Sequence, residues 1–116
     1  MTKAHELGRH GEDIAAHFLA QKKHILLERN WRWQKAEIDI ITQHNNILIL
    51  VEVKTRSSDY YGLPKEFVST RKQELMKDAA EAYLETNNLE LEIRFDVISI
   101  VIKHQEANIE HLENAF

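Results

Sequence analysis

Ala36-Glu37-Ile38-Asp39-Ile40-Ile41 and Ile47-Leu48-Ile49-Leu50-Val51-Glu52-Val53-Lys54 are two apolar runs rich in β-branched residues, separated by a polar break from Gln43 to Asn46. Such runs favour strands, and Asn45-Asn46 tolerates the positive φ of a tight turn. The stretch from Ala36 to Thr55 is therefore predicted to be a β-hairpin. With Asn45 and Asn46 as the two turn residues, His44 pairs with Ile47, Asp39 lies opposite Glu52, and Glu37 lies opposite Lys54. Side chains alternate along a strand. One face then carries Glu37, Asp39, Glu52 and Lys54, and the other carries Ile38, Ile40, Ile49, Val51 and Val53. A four-residue loop would keep the face but slide Asp39 opposite Leu50. A one-residue slip would turn it to the other face.

Directly opposed residues bring their Cβ atoms to about 4.5–5.5 Å, and like charges so placed destabilise a sheet. A divalent cation between Asp39 and Glu52 removes that repulsion. Hard cations such as Mg²⁺ are held by one or two carboxylates plus substrate phosphates. Lys54 then stands beside the ion. Asp, followed by Glu-x-Lys on the next strand, is a phosphodiester-cleaving constellation: the ion binds a phosphate oxygen and activates water, while the lysine orients the water or stabilises developing charge. The ordinary reading is a cross-strand ion pair between Glu37 and Lys54, and short motifs match by chance. Asp39 in the matching register is what adds weight to the chemical reading.

A chain of 116 residues, 43% hydrophobic and 29% charged, is ordinary for a soluble globular protein and supports one domain with a modest core. Met1 to Lys23 is polar, unlike a signal peptide, and no apolar run approaches the ~20 residues of a membrane span. Cytoplasmic residence without membrane contact is the expectation. The lack of cysteine excludes disulfides and thiolate metal sites. The net charge of −4 is unevenly spread. Residues 1–72 hold 12 Lys/Arg against 9 Asp/Glu, whereas residues 73–116 hold 3 against 10. A polyanion could meet the first part and avoid the second. An acidic second half is equally what a solvated face looks like.

From Lys3 to Gln21 the pattern is helical, with Leu7, Gly11, Ile14, Ala15, Phe18 and Leu19 on one arc. Gly8 and Gly11 cost roughly 1 kcal/mol each in helix propensity and point to close approach to the sheet. Glu12 lies at the rim of the arc, where a carboxylate reaches a site on the sheet or simply meets solvent; Asp13 points to solvent. His24 to Trp31 is a first strand. Trp31 and Trp33 share a face opposite Arg32, and core packing is the commoner role for such tryptophans than stacking on bases. Thr55 to Lys65 is a predicted loop carrying Arg56, Tyr60, Tyr61 and Lys65. A second helix runs from Thr70 to Thr86, with Thr70-Arg71-Lys72-Gln73 as a capping box and Met76, Ala79 and Tyr83 as its stripe. Lys72 continues the stripe, either facing a phosphate or snorkelling to water. Leu91 to Lys103 is a long strand interrupted by Asp96, which holds a buried arginine, holds a turn or lies near the site. Asn108 to Leu112 is a last strand. His10 and His17 read as surface residues, and the seven histidines show no paired metal-ligand spacing. The order helix, three strands, helix, two strands implies a mixed sheet flanked by helices.

Gly8-x-x-Gly11-Glu12, Glu37-Ile38-Asp39-Ile40-Ile41, Glu52-Val53-Lys54-x-Arg56, Arg94-Phe95-Asp96-Val97 and the terminal Ala115-Phe116, in this order, resemble the YraN-type family of small bacterial proteins. That family is similar to the archaeal Holliday-junction resolvases and to the PD-(D/E)xK nucleases. The resemblance implies one restriction-endonuclease-like α/β domain over residues 1–116, with a mixed central sheet. It also implies Mg²⁺ or Mn²⁺ held by Asp39 and Glu52, with Glu12 as the helical carboxylate and Lys54 as the catalytic lysine. Arg56, Lys72 and Arg32 would contact phosphates of DNA, branched DNA included, and the dimeric resolvases imply a homodimer. Two departures touch the loop into the site: Ile38 stands where the motif has proline, and Ala36 where the family usually has glycine. A non-catalytic nucleic-acid-binding module and an interaction protein that keeps the fold are the alternatives.

Overall fold

The computed structural model describes residues 3–57 and 68–116. Over these the elements are α1 (Lys3–Gln21), β1 (Ile25–Trp33), β2 (Ala36–His44), β3 (Ile47–Arg56), α2 (Thr70–Thr86), β4 (Glu92–Lys103) and β5 (Glu106–Leu112). The order is the expected one, and both helices have the expected bounds. The strands form one sheet in the order β1-β2-β3-β4-β5. All neighbours are antiparallel except β3 and β4, which are parallel. A parallel pair needs a crossover, and the connection carrying α2 supplies it.

The two helices cover opposite faces. Met76, Ala79, Ala80 and Tyr83 of α2 pack with Ile41, Leu48, Leu50, Phe95 and Val97. Ala15 and Leu19 of α1 pack with Ile40, Ile49, Val51, Ile98 and Ile100. The architecture is a mixed α/β sandwich compatible with a restriction-endonuclease-like arrangement. The C-terminus joins the α2 side, where Phe116 stacks on Phe95 at 5.1 Å.

The hairpin has the two-residue turn. His44 pairs with Ile47, and the register runs on to Ile40 opposite Val51. Asn45 takes φ 57°, a conformation asparagine adopts at little cost. β1 extends to Trp33, further than expected. Both tryptophans pack against the core on the α2 side, Trp31 edge-on to Tyr83 at 5.2 Å.

Two local readings are corrected. The cap of α2 is Ser69 rather than Thr70: its Oγ accepts from Lys72 N at 3.2 Å, while the Gln73 side chain donates to Val68 O at 3.0 Å. A polar side chain one residue earlier already serves the orphan donors, so Thr70 becomes the first helical residue. The loop expected to begin at Thr55 begins later, because Thr55 and Arg56 pair with Ile100 and Val101 in the sheet. Its part from Ser58 to Lys65, with Tyr60, Tyr61 and Lys65, lies outside the described residues.

Only one of the two helical glycines answers to close approach. A Cβ on Gly11 would fall 2.7 Å from Thr55 Cβ and 2.8 Å from its Cγ2, and closer still to its Oγ1. A Cβ on Gly8 would meet nothing within 4 Å. Gly11→Ala is therefore expected to destabilise the protein by about 1–3 kcal/mol through overpacking. Gly8→Ala is expected to stabilise it by up to about 1 kcal/mol through helix propensity. Urea denaturation of both variants checks the opposite signs. A Gly11→Ala/Thr55→Gly pair that is less unstable than the sum of its parts would locate the clash.

Candidate active site

Asp39 is the one residue of β2 without a ladder partner on either side. Pairing with β1 skips from Arg29–Ile40 to Trp31–Ile38, and pairing with β3 stops at Ile40–Val51. Asn30, which would face Asp39, takes φ 51° and interrupts the pleat. Beyond this point β2 and β3 separate, while β2 stays paired with β1 to Ala36 and β3 with β4 to Arg56. The fork leaves Val53 N–H free of the hairpin ladder, and it donates to Asp39 Oδ2 at 2.8 Å. Strict alternation lapses here. Ile38, expected on the face of Ile40, instead joins the cluster under α2, while Ile40, Ile49, Val51 and Val53 lie under α1 as expected.

Glu52 is 3% exposed. It follows Leu48 and Leu50 on the α2 face, so it points at the start of α2. Lys72 Nζ lies 2.6 Å from Glu52 Oε1, and Lys54 Nζ lies 3.4 Å from the same oxygen. Among the described residues, Glu52 Oε2 is buried with no hydrogen-bond partner. Burial and then the charge of Glu52 push the Asp39 carboxyl up to about 7, against the pull of the Val53 N–H; Glu12 adds to the rise and Lys72 opposes it. The fold thus brings Asp39, Glu52, Lys54 and Lys72 together.

The other candidates lie further out. Glu12 is at the rim of α1, its side chain 18% exposed, 3.9 Å from Arg29, which binds Asp13 more closely at 2.8 Å. Among the described residues no three His, Asp or Glu side chains are grouped to hold one ion, so Glu12 acts on Asp39 across a gap. Glu37 does not face Lys54: the strands have already parted, and it meets its β1 neighbour Arg32 at 3.0 Å. Arg32, 77% exposed, is tied there rather than to the acidic pair. Arg56 Nη2 donates to Ser99 Oγ at 3.3 Å, on the strand that carries Glu52 and Lys54. A cavity of about 360 Å³ adjoins the pair, lined by Lys35, Ala36, Glu37, Asp39, Lys72, Leu75 and Met76.

A second polar cluster centres on Asp96, with His111, Lys22 and Asn114 as members that the sequence did not signal. Asp96 is fully buried on the face opposite Glu52. It accepts from Arg94 Nε and Nη2 at 2.9 and 3.0 Å, from His111 Nε2 at 2.7 Å and from Asn114 N at 3.0 Å. Of the readings left open for Asp96, it holds an arginine and the C-terminal turn. Lys22 Nζ lies 2.8 Å from His111 Nδ1. An ammonium only donates, so Nδ1 accepts and the ring proton sits on Nε2, facing Asp96. His24 stacks on His44 at 4.5 Å and bonds Thr42 Oγ1 at 2.9 Å. These residues lie far apart in sequence, and the sole local signal was an aspartate inside an apolar run.

Fold and site together define a mixed α/β protein whose sheet forks at an acidic pair, Glu52 buried and Asp39 half-buried. Residues 11–100 match the uncharacterised protein family UPF0102. The chain belongs to that family, the YraN-type group its motifs resemble. A UPF0102 protein of Flavobacterium psychrophilum is 49% identical over 116 residues, covering 100% of this chain and 98% of its own. Relatives from Christiangramia forsetii, at 41% over 100% of this chain and 98% of theirs, and Dictyoglomus turgidum, at 46% over 96% and 97%, are similar along nearly their whole lengths. No helix among the described residues is long and apolar enough to cross a membrane.

Proposed function

We propose that this protein is a metal-dependent nuclease that hydrolyses phosphodiester bonds in DNA, branched DNA included. The observation that carries the reading is the buried Glu52, its Oε2 unpartnered among the described residues, beside an Asp39 whose carboxyl is held up to about 7 by burial and by Glu52. Lys72 and Lys54 serve Oε1, so the pair keeps a buried oxygen, unpartnered among the described residues, that a further cation would satisfy. Two carboxylates fit an ion of the Mg²⁺ or Mn²⁺ type, which completes its sphere with waters and substrate phosphate. Asp39 and Glu52 would hold it, with Glu12 as an outer carboxylate. A divalent cation supplies Lewis-acid polarisation of a phosphate oxygen and acidifies water.

The chain's own groups do the rest. The Val53 N–H fixes Asp39, and the α2-facing pleat fixes Glu52, so the donor pair is preorganised. Lys54, beside Glu52, donates to the attacking water or to a phosphate oxygen. Arg56 and Lys72 offer charge to the neighbouring phosphates, with Arg32 further out on β1. A homodimer would present two such sites to a two-fold substrate.

The test is cleavage of single-stranded, duplex, flap and four-way-junction DNA, and of RNA, with Mg²⁺, Mn²⁺ or EDTA. Wild type is expected to cut only with metal, and Glu52→Gln to lose about 10²-fold or more. A Glu52→Gln protein that cuts as wild type does would sink the assignment. Salt-dependent binding without cutting would favour the non-catalytic module, a reading helped by the two lysines that already neutralise Glu52.

A further inference from the structure

Both ammonium groups near Glu52 converge on Oε1, Lys72 at 2.6 Å and Lys54 at 3.4 Å. Oε2 is buried and has no hydrogen-bond partner among the described residues. Two ammonium groups on one oxygen repel each other more than one on each oxygen would, and the arrangement leaves both lone pairs of the second oxygen unused among the described residues. The crowding of one oxygen leaves the other for a further cation. Lys72 is also placed against local preference. It is the third residue of α2, next to Arg71, and the first turn holds no acidic residue. Cations at a helix N-terminus oppose the macrodipole. Two of them together point to an anion there, and Glu52 is the one that Lys72 meets among the described residues.

The surroundings leave Lys72 room to move. Its side chain is 37% exposed and lines the cavity of about 360 Å³ between β2 and α2. A divalent ion on Glu52 would add two charges beside two ammonium groups, a repulsion that a low-dielectric site amplifies. Lys54 already stands farther off, at 3.4 Å against 2.6 Å, so Lys72 competes more directly with an ion for Glu52. Lys72 comes from another element and already lines the cavity.

We propose that Lys72 is a removable counter-ion: it neutralises Glu52 while no metal is bound, yields that oxygen to the metal, and then meets the substrate phosphate in the adjoining cavity. This rests on the nuclease reading. Lys72 is thereby a positioning residue that sets the order of assembly, with metal and phosphate each favouring the other's arrival. A lysine that only braces the fold would not couple the two.

The experiment measures Mn²⁺ affinity of the DNA-free protein, from the electron paramagnetic resonance signal of free Mn²⁺, for wild type, Lys72→Met, Lys72→Gln and Lys72→Arg. Circular dichroism melts confirm folding. Lys72→Met, and Lys72→Gln should the methionine fail to fold, are expected to bind Mn²⁺ about three- to thirtyfold more tightly, because a competing charge is gone. Lys72→Arg is expected to bind no more tightly than wild type. At saturating Mn²⁺ the neutral variants are expected to bind or cut DNA more weakly. Equal or weaker Mn²⁺ binding by the neutral variants, with wild type binding normally, overturns the counter-ion role alone. No Mn²⁺ binding by wild type, or binding that survives Glu52→Gln, overturns the nuclease reading and this inference with it.

Discussion

Asp96→Ala is expected to destabilise the protein by about 3–5 kcal/mol, the cost of stranding partners of a buried charge. That is a large share of the 5–15 kcal/mol typical of a domain. Arg94 would keep its charge with its main partner gone, leaving Glu113 at 3.8 Å among the described residues. His111 Nε2–H and the Asn114 N–H would lose their acceptor. Asp96→Asn keeps an acceptor and is expected to fall between alanine and wild type. Urea denaturation at pH 7 measures both. An Asp96→Ala protein within about 1 kcal/mol of wild type would show that the network is not stabilising.

The same cluster sets how the fold fails in acid. Burial pushes the Asp96 carboxyl up, but the His111 and Arg94 hydrogen bonds and the Asn114 N–H outweigh it and bring it down to about 2. A depressed carboxyl adds stability that is complete above about pH 4 and is lost as pH falls through about 2. His24 acts in an earlier window. Burial, then the neighbouring His44 and His111, lower its pKa to about 4. The unfolded chain therefore binds its proton first, and stability declines as pH falls from about 6.5 to about 4. His24→Gln is expected to flatten that first decline and leave the second.

Asp39→Asn is expected to have the opposite sign. The Asp39 carboxyl is raised to about 7, so the fold favours its protonated form. Its contribution is complete below about pH 4 and is lost as pH rises through about 7. At pH 8 the metal-free wild type carries an ionised Asp39 beside Glu52. Asparagine keeps an acceptor for the Val53 N–H and removes the charge. The variant should be more stable than wild type at pH 8, by about 1–3 kcal/mol, and nearly equal to it at about pH 4. It should also lose the Mn²⁺-induced rise in melting temperature and about 10²-fold or more of cleavage. An Asp39→Asn protein that is less stable at pH 8, or still stabilised by Mn²⁺, would remove Asp39 from the metal's donors.

Much of the frame was legible in sequence because it depends on neighbours. The period of 3.6 in Lys3–Gln21 and Thr70–Thr86 set both helices, and Asn45-Asn46 set the hairpin register that aligns Asp39 with Glu52. The helical rim position of Glu12 was likewise a matter of angle. Local rules erred by small steps where a competing partner was near: Ser69 displaced Thr70 as cap, and pairing with β4 drew Thr55 and Arg56 into the sheet.

What the sequence determined by itself is the set of elements and the approach of two carboxylates, since alternation and turn length are properties of consecutive residues. The tertiary structure decided where those carboxylates point and what neutralises them. The fork at Asp39 needs β1 and β4 to hold the outer strands while Asn30 breaks the pleat between them. Lys72 reaches Glu52 across 20 positions only because α2 crosses back over the sheet. Asp96 meets His111 only because β5 folds antiparallel beside β4. Charges from separate elements cancel through packing, and packing depends on the whole chain at once.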